Sequence, residues 1–167
     1  MFLLLVTTGL PDFALAQSKV TPLEATETVC AILDPGKEWV TRQGVLHIRG
    51  QVRKNRVESS EPRVDGWNTL IVNVNLDLRT MKGTLAGTFM IVPNTIDGAF
   101  EGTFQAQITD GLASGKAVAH GTGALEGQKL SGAIDDFLSN DPGPCQPRPF
   151  PDRQTRAVGI IHEPRGN

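Results

Sequence analysis

The run LIVNVNLDL, Leu70 to Leu78, decides the fold: Leu70, Val72, Val74, Leu76 and Leu78 alternate without a break with Ile71, Asn73, Asn75 and Asp77. Successive strand side chains point to opposite faces, so this alternation describes a strand with one face in a core and the other in water. An amphipathic helix would repeat its apolar positions every three or four residues instead. Upstream, from Gly44, Leu46, Ile48 and Val52 alternate with His47, Arg49 and Gln51 and give a second strand of the same kind.

Downstream the pattern continues through Gly83 to Val92, Ala99 to Thr109, Gly115 to Leu125 and Leu130 to Asp136. Pro93-Asn94, Asp110-Gly111 and Gly127-Gln128 separate these segments, and connections so short pair neighbouring strands antiparallel. Leu85, Phe89 and Ile91, then Phe100, Phe104 and Ile108, mark the apolar face, and Gly87, Gly102, Gly121 and Gly123 fall on it too. Glycine there removes bulk and permits strong coiling. The expected fold class is all-β, an antiparallel meander closed into a small β-barrel of about eight strands.

The flanks read differently. Arg53 to Asn68, with Lys54-Asn55-Arg56 and Glu61-Pro62-Arg63, reads as a long charged loop, a mobile lid or a loose excursion. Gln17 to Thr28 is polar and reads as a poorly packed lead-in to a short extended segment, Cys30 to Leu33, which ends at the turn Asp34-Pro35-Gly36. Beyond Phe137, prolines at 142, 144, 147, 149 and 151 exclude a helix and predict an extended strap, and Arg156 to His162 reads as a last strand. The expected organisation is an export signal over 1–16, an N-terminal extension over 17–43, the barrel core over 44–136, and the strap with its final strand over 137–167.

The export reading rests on the apolar run Phe2 to Val6 and on Ala14-Leu15-Ala16, the small-x-small pattern of a cleavage site before Gln17. The missing Lys or Arg at the start departs from the usual signal, and a buried N-terminal strand in a cytosolic protein is the competing reading. No other segment reaches the ~18 apolar residues of a membrane helix, so no membrane span is expected. The expected location is secreted or periplasmic. In an oxidising compartment the two cysteines, Cys30 and Cys145, are most simply a disulfide joining the ends of the domain. With no CxxC and no nearby His they do not resemble a zinc site, and no motif calls for a metal or a cofactor.

Composition removes other classes. The 167 residues carry 16 Lys+Arg against 18 Asp+Glu without a like-charged run, so the clustered basic surface of a nucleic-acid binder is lacking. With no Tyr, platforms for stacking bases or sugars are scarce. Gly111-Leu112-Ala113-Ser114-Gly115 lacks the GxSxG spacing of a serine hydrolase, and histidines at 47, 120 and 162 form no metal-hydrolase pair.

The polar strand faces hold His47, Asp77, Glu101 and His120. Turned inward they would make a wet cavity in which His120 or His47 acts as acid or base beside Glu101 or Asp77, so His120, Glu101 and His47 are the candidate catalytic residues. Turned outward they are solvated surface, the arrangement favoured by the apolar character of the opposite face. Three functions stay open. A binding module would take a small apolar or amphipathic ligand between Phe89, Phe100 and Phe104, its mouth framed by Trp67 and the Arg53–Asn68 loop. A cyclase or isomerase would aim His120 and Glu101 into the same cavity. A structural or interaction protein would fill the barrel and expose an apolar stripe.

Gly121-Thr122-Gly123-Ala124-Leu125-Glu126-Gly127, followed by Gly132, resembles the late-strand glycine signature of the allene oxide cyclase and dirigent barrels. A phosphate loop with this spacing would need a following helix, whereas Leu130 to Ile134 reads as a strand. The resemblance, as to an exported bacterial-type member, implies a calycin-like eight-stranded barrel with a hydrophobic or mixed cavity. It also implies relatives that steer cyclisation or coupling of reactive organic intermediates, and assembly as a homo-oligomer. It supplies no catalytic residues, because only the glycines match.

Overall fold

The computed structural model describes residues 19–141, 143–147, 149–150 and 152–164. The expected export signal, 1–16, lies outside them. The described residues form nine strands, β1 (Val20–Asp34), β2 (Lys37–Val40), β3 (Val45–Ser59), β4 (Gly66–Asp77), β5 (Lys82–Pro93), β6 (Gly98–Thr109), β7 (Leu112–Gly123), β8 (Lys129–Leu138) and β9 (Arg153–His162). From β3 to β9 each strand pairs antiparallel with the next, β9 pairs with β1, and β1 pairs back onto β3. Eight strands thus close into a barrel without an edge, as the sequence pattern predicts. Among the described residues no helix is long and apolar enough to cross a membrane.

β2 stands outside the closed ring. β1 covers β3 from Val52 to Ser59, and β2 takes over the same edge from Leu46 to Arg49. The turn between them is local chemistry: Asp34 Oδ1 accepts the Gly36 N–H at 2.8 Å, and Gly36 has a φ of 68°.

Two expectations for the flanks are corrected. The residues expected as a poorly packed lead-in contain most of β1, a full stave that buries Leu23 and Ala25, so the barrel begins well before residue 44. Nor is Arg53 to Asn68 a loop, for β3 runs to Ser59 and β4 starts at Gly66. Its charged residues misled because the wall is wet on one side and, as described below, partly polar on the other. β9 fulfils the expected last strand and also closes the ring.

One end of the barrel is plugged. Val64, Phe100, Leu125 and Ile161 are at most 2% exposed and fill the space beneath the β3–β4 and β7–β8 turns. Charge pins these turns. Arg63 donates to Glu61 at 2.7 Å, to Glu163 at 3.0 Å and to Gln128 at 3.2 Å. Arg56 meets Asp65 at 2.8 Å, and Asn94 Nδ2 donates to Asp65 at 3.0 Å. The segment expected as a mobile lid therefore contributes a fastened plug. At the other end the proline-rich strap between β8 and β9 crosses toward β1, where Cys145 is bonded to Cys30 with their Cα atoms 5.5 Å apart.

Candidate functional site

Between plug and strap the barrel is hollow. A cavity of about 480 Å³ lies inside, within the range of about 300–1,000 Å³ usual for small-molecule sites. Its walls differ. β4 to β6 contribute Leu70, Val72, Leu85, Phe89, Phe104 and Ile108, an apolar surface produced by the uninterrupted alternation of those strands. Glycine shapes this wall where Gly87 faces Phe104 across the β5–β6 pair: a Cβ there would stand 1.9 Å from the Ile71 carbonyl oxygen and 3.1 Å from the Phe104 ring.

The opposite wall is polar and comes from β1, β3 and the strap ends of β8 and β9. It carries Glu27, Gln51, Arg53, Asn55, Asp136 and Arg153, with Asn68 of β4 beside them. A bulge at Gly50 brings the β3 residues inward. There φ is 69°, and the β3–β4 register slips between Ile48 and Gln51. An extra residue reverses the phase of a strand. Leu46 and Ile48 face the cavity before the bulge, and Gln51, Arg53 and Asn55 face it after, which overturns the reading of Val52 as the next member of the Leu46, Ile48 face.

Glu27 organises one part of this wall. Its Oε1 accepts Asn55 Nδ2 at 2.7 Å and Asn68 Nδ2 at 2.8 Å. Burial pushes its pKa above the ordinary value, the two amides oppose that, and Asp136 adds to the rise while Arg53 opposes it. Arg53 occupies the neighbouring part, with Nε donating to Gln51 Oε1 at 2.6 Å and the guanidinium 5.2 Å from the ring centre of Phe150, a strap residue that also lines the cavity. Burial pulls its pKa down, Asp136 and Glu27 raise it, and Arg153 lowers it further. Asp136 is engaged on both oxygens, accepting the Ala113 N–H at 3.2 Å and the Thr155 hydroxyl at 2.6 Å.

The residues singled out from the sequence divide between the two sides of the wall. Phe89 and Phe104 line the cavity, while Phe100 is buried in the plug and does not touch it. Trp67 is 38% exposed on the outer surface under the Lys54 ammonium, so it frames no mouth. Glu101 and His120 are cross-strand neighbours, both exposed on the outer face. His47 also lies outside, stacked on Trp39 at 5.0 Å and hydrogen-bonded to Asn75 at 2.7 Å. None of these three reaches the cavity, so the arrangement required of an acid–base site built on them is not formed. Among the described residues, no group of three or more His, Cys, Asp or Glu is placed to hold a metal ion.

The sequence matches no family model and no curated protein.

Proposed function

We propose that this chain is an exported binding module that holds a small, predominantly apolar or amphipathic ligand inside its barrel. The cavity of about 480 Å³ between the plug and the strap carries this reading, because a barrel kept only for stability would fill its interior with side chains. Its apolar wall offers burial to a hydrocarbon or alicyclic body, and its polar wall offers a few fixed groups to orient one end. Export is supported by the disulfide between Cys30 and Cys145, a bond that persists in oxidising compartments.

Membership of the allene oxide cyclase and dirigent group belongs to the same proposal. The glycine segment Gly121 to Gly127 and a closed barrel of eight strands support it. The cyclase or isomerase alternative through His120 and Glu101 is not carried forward, since both residues lie outside the barrel.

A neutral fluorophore, N-phenyl-1-naphthylamine, tests the reading on the oxidised chain. It should bind and brighten, and Ala117→Phe, which adds a ring to the cavity wall beside Phe104, should remove most of that signal. An undiminished signal in a folded Ala117→Phe variant would place the dye elsewhere and sink the proposal.

A further inference from the structure

The cavity carries two guanidinium groups that form no direct ion pair with its own carboxylates among the described residues. Arg53 and Arg153 both line it, and neither forms an ion pair among the described residues. Arg53 commits Nε to Gln51, and its two Nη nitrogens form no hydrogen bond among the described residues. Neither carboxylate that faces it hydrogen-bonds to it among the described residues. Asp136 is held by the Ala113 N–H and the Thr155 hydroxyl, and Oε1 of Glu27 by two amides. Phe150 of the strap lies over the Arg53 guanidinium, so these donors stand at the covered end of an apolar chamber.

Uncommitted guanidinium donors in a desolvated place are recognition groups of a particular kind. The planar fork matches the two oxygens of a carboxylate, and the pairing strengthens as water is excluded. From these positions we infer that the ligand is an amphipathic monocarboxylate, its head between Arg53 and Arg153 beneath Phe150 and its hydrocarbon body against Phe89 and Phe104. This rests on the binding reading above and adds the head group to it. An amine would bring a third cation to that wall, and an alcohol would present one oxygen where the fork addresses two.

The experiment displaces N-phenyl-1-naphthylamine from the oxidised chain with decanoate, decanol and decylamine at pH 7.5. Decanoate should compete at roughly tenfold lower concentration than decanol, and decylamine should be the weakest, tenfold corresponding to about 1.4 kcal/mol. Arg53→Met should erase the advantage of decanoate while leaving decanol within about twofold, and Arg153→Met should reduce the advantage about threefold. Decanol or decylamine competing as well as decanoate in the native chain would overturn the carboxylate assignment and leave the binding reading standing. Failure of the neutral dye itself to bind would remove both. Should Arg53→Met not fold, the order of the three head groups in the native chain, together with Arg153→Met, decides the question.

Discussion

Asn55 and Asn68 face each other across the β3–β4 pair, and both give an amide hydrogen to the same oxygen of Glu27, at 2.7 and 2.8 Å. Their own carbonyl oxygens are buried without a hydrogen-bond partner among the described residues. Orphaned acceptors in a cavity wall cost free energy, on the order of 1–3 kcal/mol each by mutational data. A fold that keeps them has placed the two amides to hold a carboxyl group in an apolar barrel.

Glu27→Gln should therefore stabilise the protein near neutral pH. The substitution keeps the oxygen that both amides use and removes the buried charge. The sign follows from burial, which raises the folded-state pKa of Glu27 above that of the unfolded chain. A carboxyl with a raised folded pKa favours folding below its ordinary range, and this advantage is lost as pH rises through the folded value. Urea melts should show a gain of about 1 kcal/mol or more for Glu27→Gln at pH 7.5, shrinking toward zero near pH 4. An equal gain at both pH values would mean that the charge is not the cause.

The plugged end has the opposite pH dependence. The hydrogen bond from Arg63 holds Glu61 below the ordinary carboxylate range, and Arg63 does the same for Glu163. For Asp65, burial raises the pKa but Arg56, Asn94 and the Ser59 N–H together outweigh it, so the net shift is downward. Depressed folded pKa values stabilise the fold above about pH 4.3 and lose that effect as pH falls through them. Arg63→Gln should lower the urea midpoint at pH 7, and the difference should shrink as pH falls toward 3 and the carboxylates protonate. Urea midpoints of both proteins at the two pH values check this.

The legible part of the molecule is the part where alternation keeps one phase. From Leu70 to Leu76 every second residue faces the interior, so the sequence alone locates the apolar wall. The polar wall stayed hidden for two physical reasons. On β3 the bulge at Gly50 reverses the phase, so inward Arg53 and Asn55 read as members of a charged loop. On β1 the inward series Leu23, Ala25, Glu27 and Val29 is interrupted by its one carboxyl, and the segment reads as polar lead-in. A cavity that binds through polar groups must break the hydrophobic pattern at the positions that matter. A search for strands with a glycine in mid-course and a return to alternation in the other phase would have exposed Arg53.

Gly87 sets the separation of the β4–β5 and β5–β6 pairs where the apolar wall curves. Because a Cβ there would strike the Ile71 carbonyl, a backbone atom without a rotamer to escape by, Gly87→Val should destabilise by about 2 kcal/mol or more. Differential scanning calorimetry measures the loss, and a melting temperature unchanged from the native chain would show that the wall has slack the geometry denies.

The strap ties cavity and stability together. Cys30 and Cys145 are 115 residues apart in sequence, so their bond closes most of the domain into one loop and restricts the unfolded chain accordingly. The double variant Cys30→Ser, Cys145→Ser should lose about 2–5 kcal/mol, measured in urea without reductant. Phe150 supplies the second consequence, because it roofs the cavity from the same strap that Cys145 anchors. With the anchor cut, the strap should open more often, and N-phenyl-1-naphthylamine should leave severalfold faster in stopped-flow dilution while its entry is accelerated as well. A variant with reduced stability and unchanged dye exchange would separate the two roles, leaving the disulfide as a clamp on the unfolded chain and the roof held by Phe150 against Arg53.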